Sequence, residues 1–80
     1  MARVLVVDDE PDYREELELS LSRDHHEVRT AATGREAIDL GSRFRPHVLV
    51  CDWMLKNTIH GQYLQNAMKW RGMVFYMAHI

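Results

Sequence analysis

The sequence predicts an α/β fold: a parallel sheet of about four strands with three helices, β-α-β-α-β-α-β in order. Three observations predict it. Short continuous apolar runs alternate with amphipathic helical stretches along the chain. Two of those runs, Val4-Leu5-Val6-Val7 and Val48-Leu49-Val50-Cys51, are apolar at every position, as strands buried on both faces must be. Each of the two ends abruptly in acid, the first at Asp8-Asp9 and the second at Asp52.

The first run is mostly β-branched and suits an interior strand. Asp8-Asp9-Glu10 stops it. Pro11 then suits the first turn of a helix, where its missing N–H costs nothing. Tyr13, Leu17 and Leu21 recur at helical spacing and make one apolar stripe. Asp12, Glu15 and Glu16 fall in the early turns, where the helix dipole favours negative charge. This helix is expected from about Pro11 to Arg23. Glu27 to Ala31 is a weaker strand, expected at a sheet edge. Thr33 can cap the helix that follows. That helix draws on Ala37, Ile38, Leu40 and Phe44 and runs to about Arg45, with Pro46 ending it. Gly41 inside it costs about 1 kcal/mol relative to Ala. His47 to Cys51 is the next strand. A loop over residues 53–61 follows, then a third helix from about Gln62 to Trp70, ended by Gly72. Met73 to Ala78 reads as the last strand.

Size and charge narrow the functional classes. Eighty residues make one domain at most. A composition that is 46% hydrophobic and 28% charged is globular. A net charge of −2 gives no general attraction to nucleic acid or to an anionic membrane. No apolar run approaches the length of a membrane span, and the start does not read as a signal peptide. The lone cysteine, Cys51, has no partner for an internal disulfide, which points to a cytoplasmic setting. The charge is uneven: residues 1–40 carry a balance of −6 and residues 41–80 one of +4.

In open parallel sheets, ligands bind beyond the carboxyl ends of the strands at the topological switch point. Asp8, Asp9 and Asp52 stand at such ends. If the first and third strands are neighbours, three carboxylates meet in one pocket. Like charges so placed repel unless something neutralises them. A hard divalent cation such as Mg²⁺ takes oxygen ligands and does so. A carboxylate beside such a cation can also be a nucleophile toward a phosphoryl group. A single acid at a strand end is ordinarily a solvated loop residue. A pair after one strand and a third acid after another favour a site.

Val4 to Pro11 closely resembles the first strand and acidic turn of bacterial response-regulator receiver domains. Val48 to Leu55 resembles their third strand and phosphorylation loop, and Glu27 to Ala37 their second strand and helix. The resemblance covers Ala2 to about Met68. It implies a flavodoxin-like, receiver-type sheet in the order 2-1-3-4-5, here incomplete at four strands and three helices. It implies a receiver over residues 1–80 that lacks the family's last helix-strand-helix portion. It further implies that Asp52 is the phosphoacceptor, that Asp9 binds Mg²⁺ directly and Asp8 largely through water, and that the Met54 backbone carbonyl completes the protein's share of the coordination. The implied donor is a phosphohistidine on a sensor histidine kinase or a histidine phosphotransfer protein. The implied role is a signalling module of a two-component phosphorelay, not an enzyme.

The chain departs from the family pattern in three places. Lys56 stands where the family has a Pro, and Gly61 lies one residue later than the usual Gly. Met77, Ala78 and His79, at the end of the last strand, include no Ser or Thr to read the phosphoryl oxygen. The family's later Lys has no counterpart. These departures raise an alternative: a non-switching receiver fragment that acts as a protein-interaction module, with self-association through an uncovered sheet face or edge. A phosphatase with an Asp nucleophile is weaker, because its usual acid/base position, two residues past Asp52, is Met54.

Other residues carry no comparable signal. The five histidines match no metal-ligand spacing. Cys51, inside an apolar strand, reads as a small buried hydrophobe. Trp70, Phe75 and Tyr76 lack the basic surroundings of a stacking platform. Lys56 reads as a solvated loop residue, and Gly34 and Gly61 form no phosphate-cradling motif.

Overall fold

The computed structural model describes residues 1–52, the helical residue Asn66 and the strand 74–78, with the backbone alone for Asp52 and for that strand. In chain order the elements are β1 (Arg3–Val7), α1 (Pro11–Arg23), β2 (Glu27–Ala31), α2 (Gly34–Phe44), β3 (Val48–Asp52) and β4 (Val74–Ala78). The four strands form one sheet in the order β2-β1-β3-β4. Each neighbouring pair is parallel. The expected loop over 53–61, the helix from Gln62 to Trp70 apart from Asn66, and Gly72 lie outside the described residues.

Register explains why β1 is apolar throughout. Leu5 and Val7 point to one face, where they pack with Ala31, Leu49, Cys51 and Ala37 of α2. Val4 and Val6 point to the other, where they pack with Val28 and with Leu17 and Leu21 of α1. The two helices therefore cover opposite faces, and β1 is buried on both. Strand β3 is less evenly covered. Leu49 and Cys51 are buried on the α2 face, whereas Val48 and Val50 on the α1 face are only half-buried. Cys51 is buried, as its place in an apolar strand predicts.

Gly34, Ala37 and Gly41 form the buried side of α2. Small side chains there let the helix lie close against β1 and β2. Gly41 thus has a packing reason that offsets its low helix propensity. Thr33 caps α2 as expected, its Oγ1 accepting the Glu36 backbone N–H at 3.1 Å. The Glu36 carboxylate reaches back past the cap and accepts the Ala32 N–H at 2.9 Å. The helix ends at Phe44, one residue before the expected limit. Arg45 takes a left-handed φ of 52° and donates its N–H to the Gly41 carbonyl at 2.9 Å. Strand β3 begins at Val48 and includes Asp52, one residue later at each end than the pattern suggests.

The end of α1 follows the same logic with a less suited residue. His25 N–H donates to Ser22 O at 3.0 Å and His26 N–H to Leu21 O at 3.3 Å, the two bonds of a Schellman cap. His25 occupies the left-handed position, φ 67°, where glycine is favoured. A non-glycine residue there pays about 1–2 kcal/mol, against about 0.5–1 kcal/mol for the greater unfolded-state freedom of glycine. His25→Gly is accordingly expected to stabilise by about 0.5–1 kcal/mol, read as a higher urea midpoint at unchanged slope. Two other histidines hold the start of the sheet. Nδ1 of His26 accepts the Ala2 N–H at 3.1 Å, and Nδ1 of His47 accepts the Arg3 N–H at 2.9 Å.

Candidate functional site

The chain winds outward from β1 to β2, then crosses back to β3 and on to β4. The switch point therefore lies between β1 and β3. Val7 pairs with Cys51 in the last described rung between them, so Asp8 and Asp52 follow that rung side by side at the carboxyl ends. This is the adjacency on which convergence of the acids depends.

The acidic turn after β1 is built from several short bonds. The Asp8 N–H donates to Ala31 O at 3.1 Å, extending the sheet ladder one step past the strand. The Asp8 side chain is buried, with 2% of its surface exposed. Its Oδ1 accepts the Glu10 N–H at 2.8 Å, closing an Asx turn that reverses the chain toward α1. Glu10 then caps α1, its Oε1 accepting the Asp12 N–H at 3.3 Å. Arg14, on the first turn of the helix, reaches back and donates from Nη1 to the Asp8 carbonyl at 2.8 Å. Asp9 is exposed at the tip of the turn.

Asp52 is the last residue of β3 and pairs with Ala78 at the end of β4. Register therefore selects Ala78, among Met77, Ala78 and His79, as the strand-four residue level with Asp52. The side chain of Asp52, and Met54 with its carbonyl, lie outside the described residues. Among the described residues, no group of three or more His, Cys, Asp or Glu is placed to hold a metal ion. The donor chemistry nevertheless suits a hard cation. Among the described residues, Asp8 and Asp9 bring carboxylate oxygens to this end, the donor type that Mg²⁺ prefers.

Glu10 as a cap and Arg14 as a brace were not evident from spacing. Arg14 did leave one signal. A cation in the first turn of a helix opposes the dipole and calls for a specific partner.

A doubly wound, flavodoxin-like sheet with acids at the ends of its two central strands defines the class. Residues 4–77 match the family model of the response regulator receiver domain, and the chain belongs to that family. Among curated relatives, it is 47% identical over 53 residues to the response regulator MprA of Mycolicibacterium vanbaalenii, covering 66% of this chain and 23% of that protein. It is 42% identical over 55 residues to the transcriptional regulatory protein AfsQ1 of Streptomyces coelicolor, covering 69% of this chain and 24% of that one. The chain thus spans about a quarter of the length of these relatives. Among solved structures, the chemotaxis response regulator CheY4 of Vibrio cholerae superimposes with a TM-score of 0.83 at 30% identity, over 96% of this chain and 67% of that one. Receiver domains are signalling modules, and no helix among the described residues is long and apolar enough to cross a membrane.

Proposed function

We propose that residues 1–80 act as a cytoplasmic phosphoacceptor module of a two-component relay, with Asp52 as the acceptor. The observation that carries the reading is the pairing of β1 with β3, which sets Asp8, Asp9 and Asp52 at adjacent carboxyl ends. Asp9 serves as the direct Mg²⁺ ligand. Asp8, already engaged by the Glu10 N–H, acts largely through water. Asp52 and the Met54 carbonyl complete the protein's ligands. Bound Mg²⁺ offsets the negative charge that gathers as phosphate approaches three carboxylates. In the transfer, an Asp52 carboxylate oxygen forms a bond to phosphorus as the P–N bond to the donor's imidazole breaks. The imidazole nitrogen keeps the electron pair and takes a proton from solvent. The donor class is a phosphohistidine on a sensor kinase or phosphotransfer protein.

Incubation with acetyl phosphate and Mg²⁺ is expected to add one phosphoryl group to the intact mass, and Asp52→Asn to abolish the addition. Labelling that persists in Asp52→Asn would reject Asp52 as the acceptor.

A second reading rests on the half-buried Val48 and Val50. Among the described strands, β4 also pairs on one side only. An apolar face and an open parallel edge favour association with another chain. Sedimentation at micromolar concentration is expected to show self-association. A monomer at every concentration would remove this reading and leave the acceptor reading intact.

A further inference from the structure

Asp9 is the exposed member of the acid pair, and its direction is set by the peptide that joins it to Asp8. The structure shows how that peptide is held. Asp8 is tied at its N–H by Ala31 and at its carboxylate by Glu10. Its carbonyl, the oxygen of the Asp8–Asp9 peptide, accepts from Arg14 Nη1 at 2.8 Å. Arg14 is half-buried, and its own N–H donates to Glu10 O at 3.0 Å, the first bond of the α1 ladder. One residue thus links the start of the helix to the peptide plane from which Asp9 departs. The link comes at a helix end where a cation is disfavoured, so the brace works against the local dipole.

We propose that Arg14 is a positioning residue for Asp9: its guanidinium fixes the Asp8–Asp9 peptide and so preorganises the acidic turn for a divalent cation. This rests on the reading of Asp9 as a metal ligand. The guanidinium suits the task because its planar donors hold a fixed direction while the charge stays on the protein. It touches neither the cation nor phosphate and acts through the backbone. Partners of this kind behind metal ligands carry 10- to 100-fold in affinity in characterised sites; a backbone brace belongs at the lower end, about tenfold.

The test is a Mg²⁺ titration of the full chain followed by the ¹⁵N–¹H amide shifts of Asp9 and Glu10, with a urea midpoint for each variant. Arg14→Met is expected to weaken Mg²⁺ binding about tenfold, and Arg14→Lys, which keeps a donor and the charge, to recover part of the loss. Leu17→Ala serves as the control, since it removes α1 packing against Val4 and Val6 and leaves the turn alone. It is expected to lower the urea midpoint and leave Mg²⁺ affinity unchanged. Unchanged Mg²⁺ affinity in Arg14→Met, or an equal loss in Leu17→Ala, would overturn the proposal. If Arg14→Met fails to fold, Arg14→Lys decides: Mg²⁺ affinity between wild type and about a tenfold loss, with displaced Asp9 and Glu10 amide shifts, is expected, and wild-type affinity with unchanged shifts would overturn the proposal. Asp9→Ala separates the two levels. Undiminished binding there rejects the metal reading itself, whereas loss there with none in Arg14→Met rejects only the brace.

Discussion

Leu49→Ala is expected to be the most damaging single truncation in the sheet, and Val50→Ala, one residue away, to be mild. Leu49 has no exposed surface and sits among Leu5, Val7, Ala31, Cys51 and Ala37. Removing its isobutyl group loses the transfer energy of the buried atoms and leaves a cavity in the cluster on that face of the sheet, together about 2–5 kcal/mol. A chain of this length has a total stability on the order of 4–12 kcal/mol. The loss is therefore a large share of the total stability, and the urea midpoint of the variant is expected to fall by about a third or more. Val50 points to the opposite face and is half-buried. Its truncation removes contacts that are already incomplete and is expected to cost about 1 kcal/mol or less. Urea denaturation of the two variants measures the contrast. Equal losses would mean that the α1 face of β3 is as well packed as the other.

The same contrast shows what sequence alone conveyed. Continuous apolar runs announced that β1 and β3 are interior strands, and the bounds of α1 and β2 match the pattern to the residue. Those elements are legible because burial and helical period write directly into residue type. Which strands lie side by side is a property of the crossovers, and it entered only through the resemblance. The left-handed caps at His25 and Arg45 were hidden for a different reason. The residues there are not glycine, so the usual mark of a positive φ was absent. The acids of the candidate site stood out as charges ending apolar runs. The hydrogen bonds that organise Asp8 did not, because an Asx turn and an Arg brace depend on where backbone groups point.

That organisation separates the two acids of the turn and leads to the second large effect. Asp9→Ala is expected to weaken Mg²⁺ binding by more than tenfold and to change urea stability little. The side chain is exposed, and removing it takes away a negative charge next to that of Asp8. Asp8→Ala is expected to behave in the reverse way. Its carboxylate is buried and accepts the Glu10 N–H at 2.8 Å, so truncation leaves that amide without its partner where the chain turns into α1. The lost charge-assisted bond is worth about 1.5–3 kcal/mol, partly offset by the relief of repulsion. Its effect on Mg²⁺ is expected to be the smaller of the two, since in the proposed arrangement Asp8 meets the cation through water and Asp9 meets it directly. If the three acids converge as proposed, Asp52→Asn in chelator is expected to leave the metal-free chain as stable as the parent or more so, because it removes one of the like charges. A Mg²⁺ titration and a urea melt on each variant read both axes. Should Asp8→Ala abolish binding while Asp9→Ala preserves it, the roles of the two acids are exchanged, and the direct ligand is the buried one.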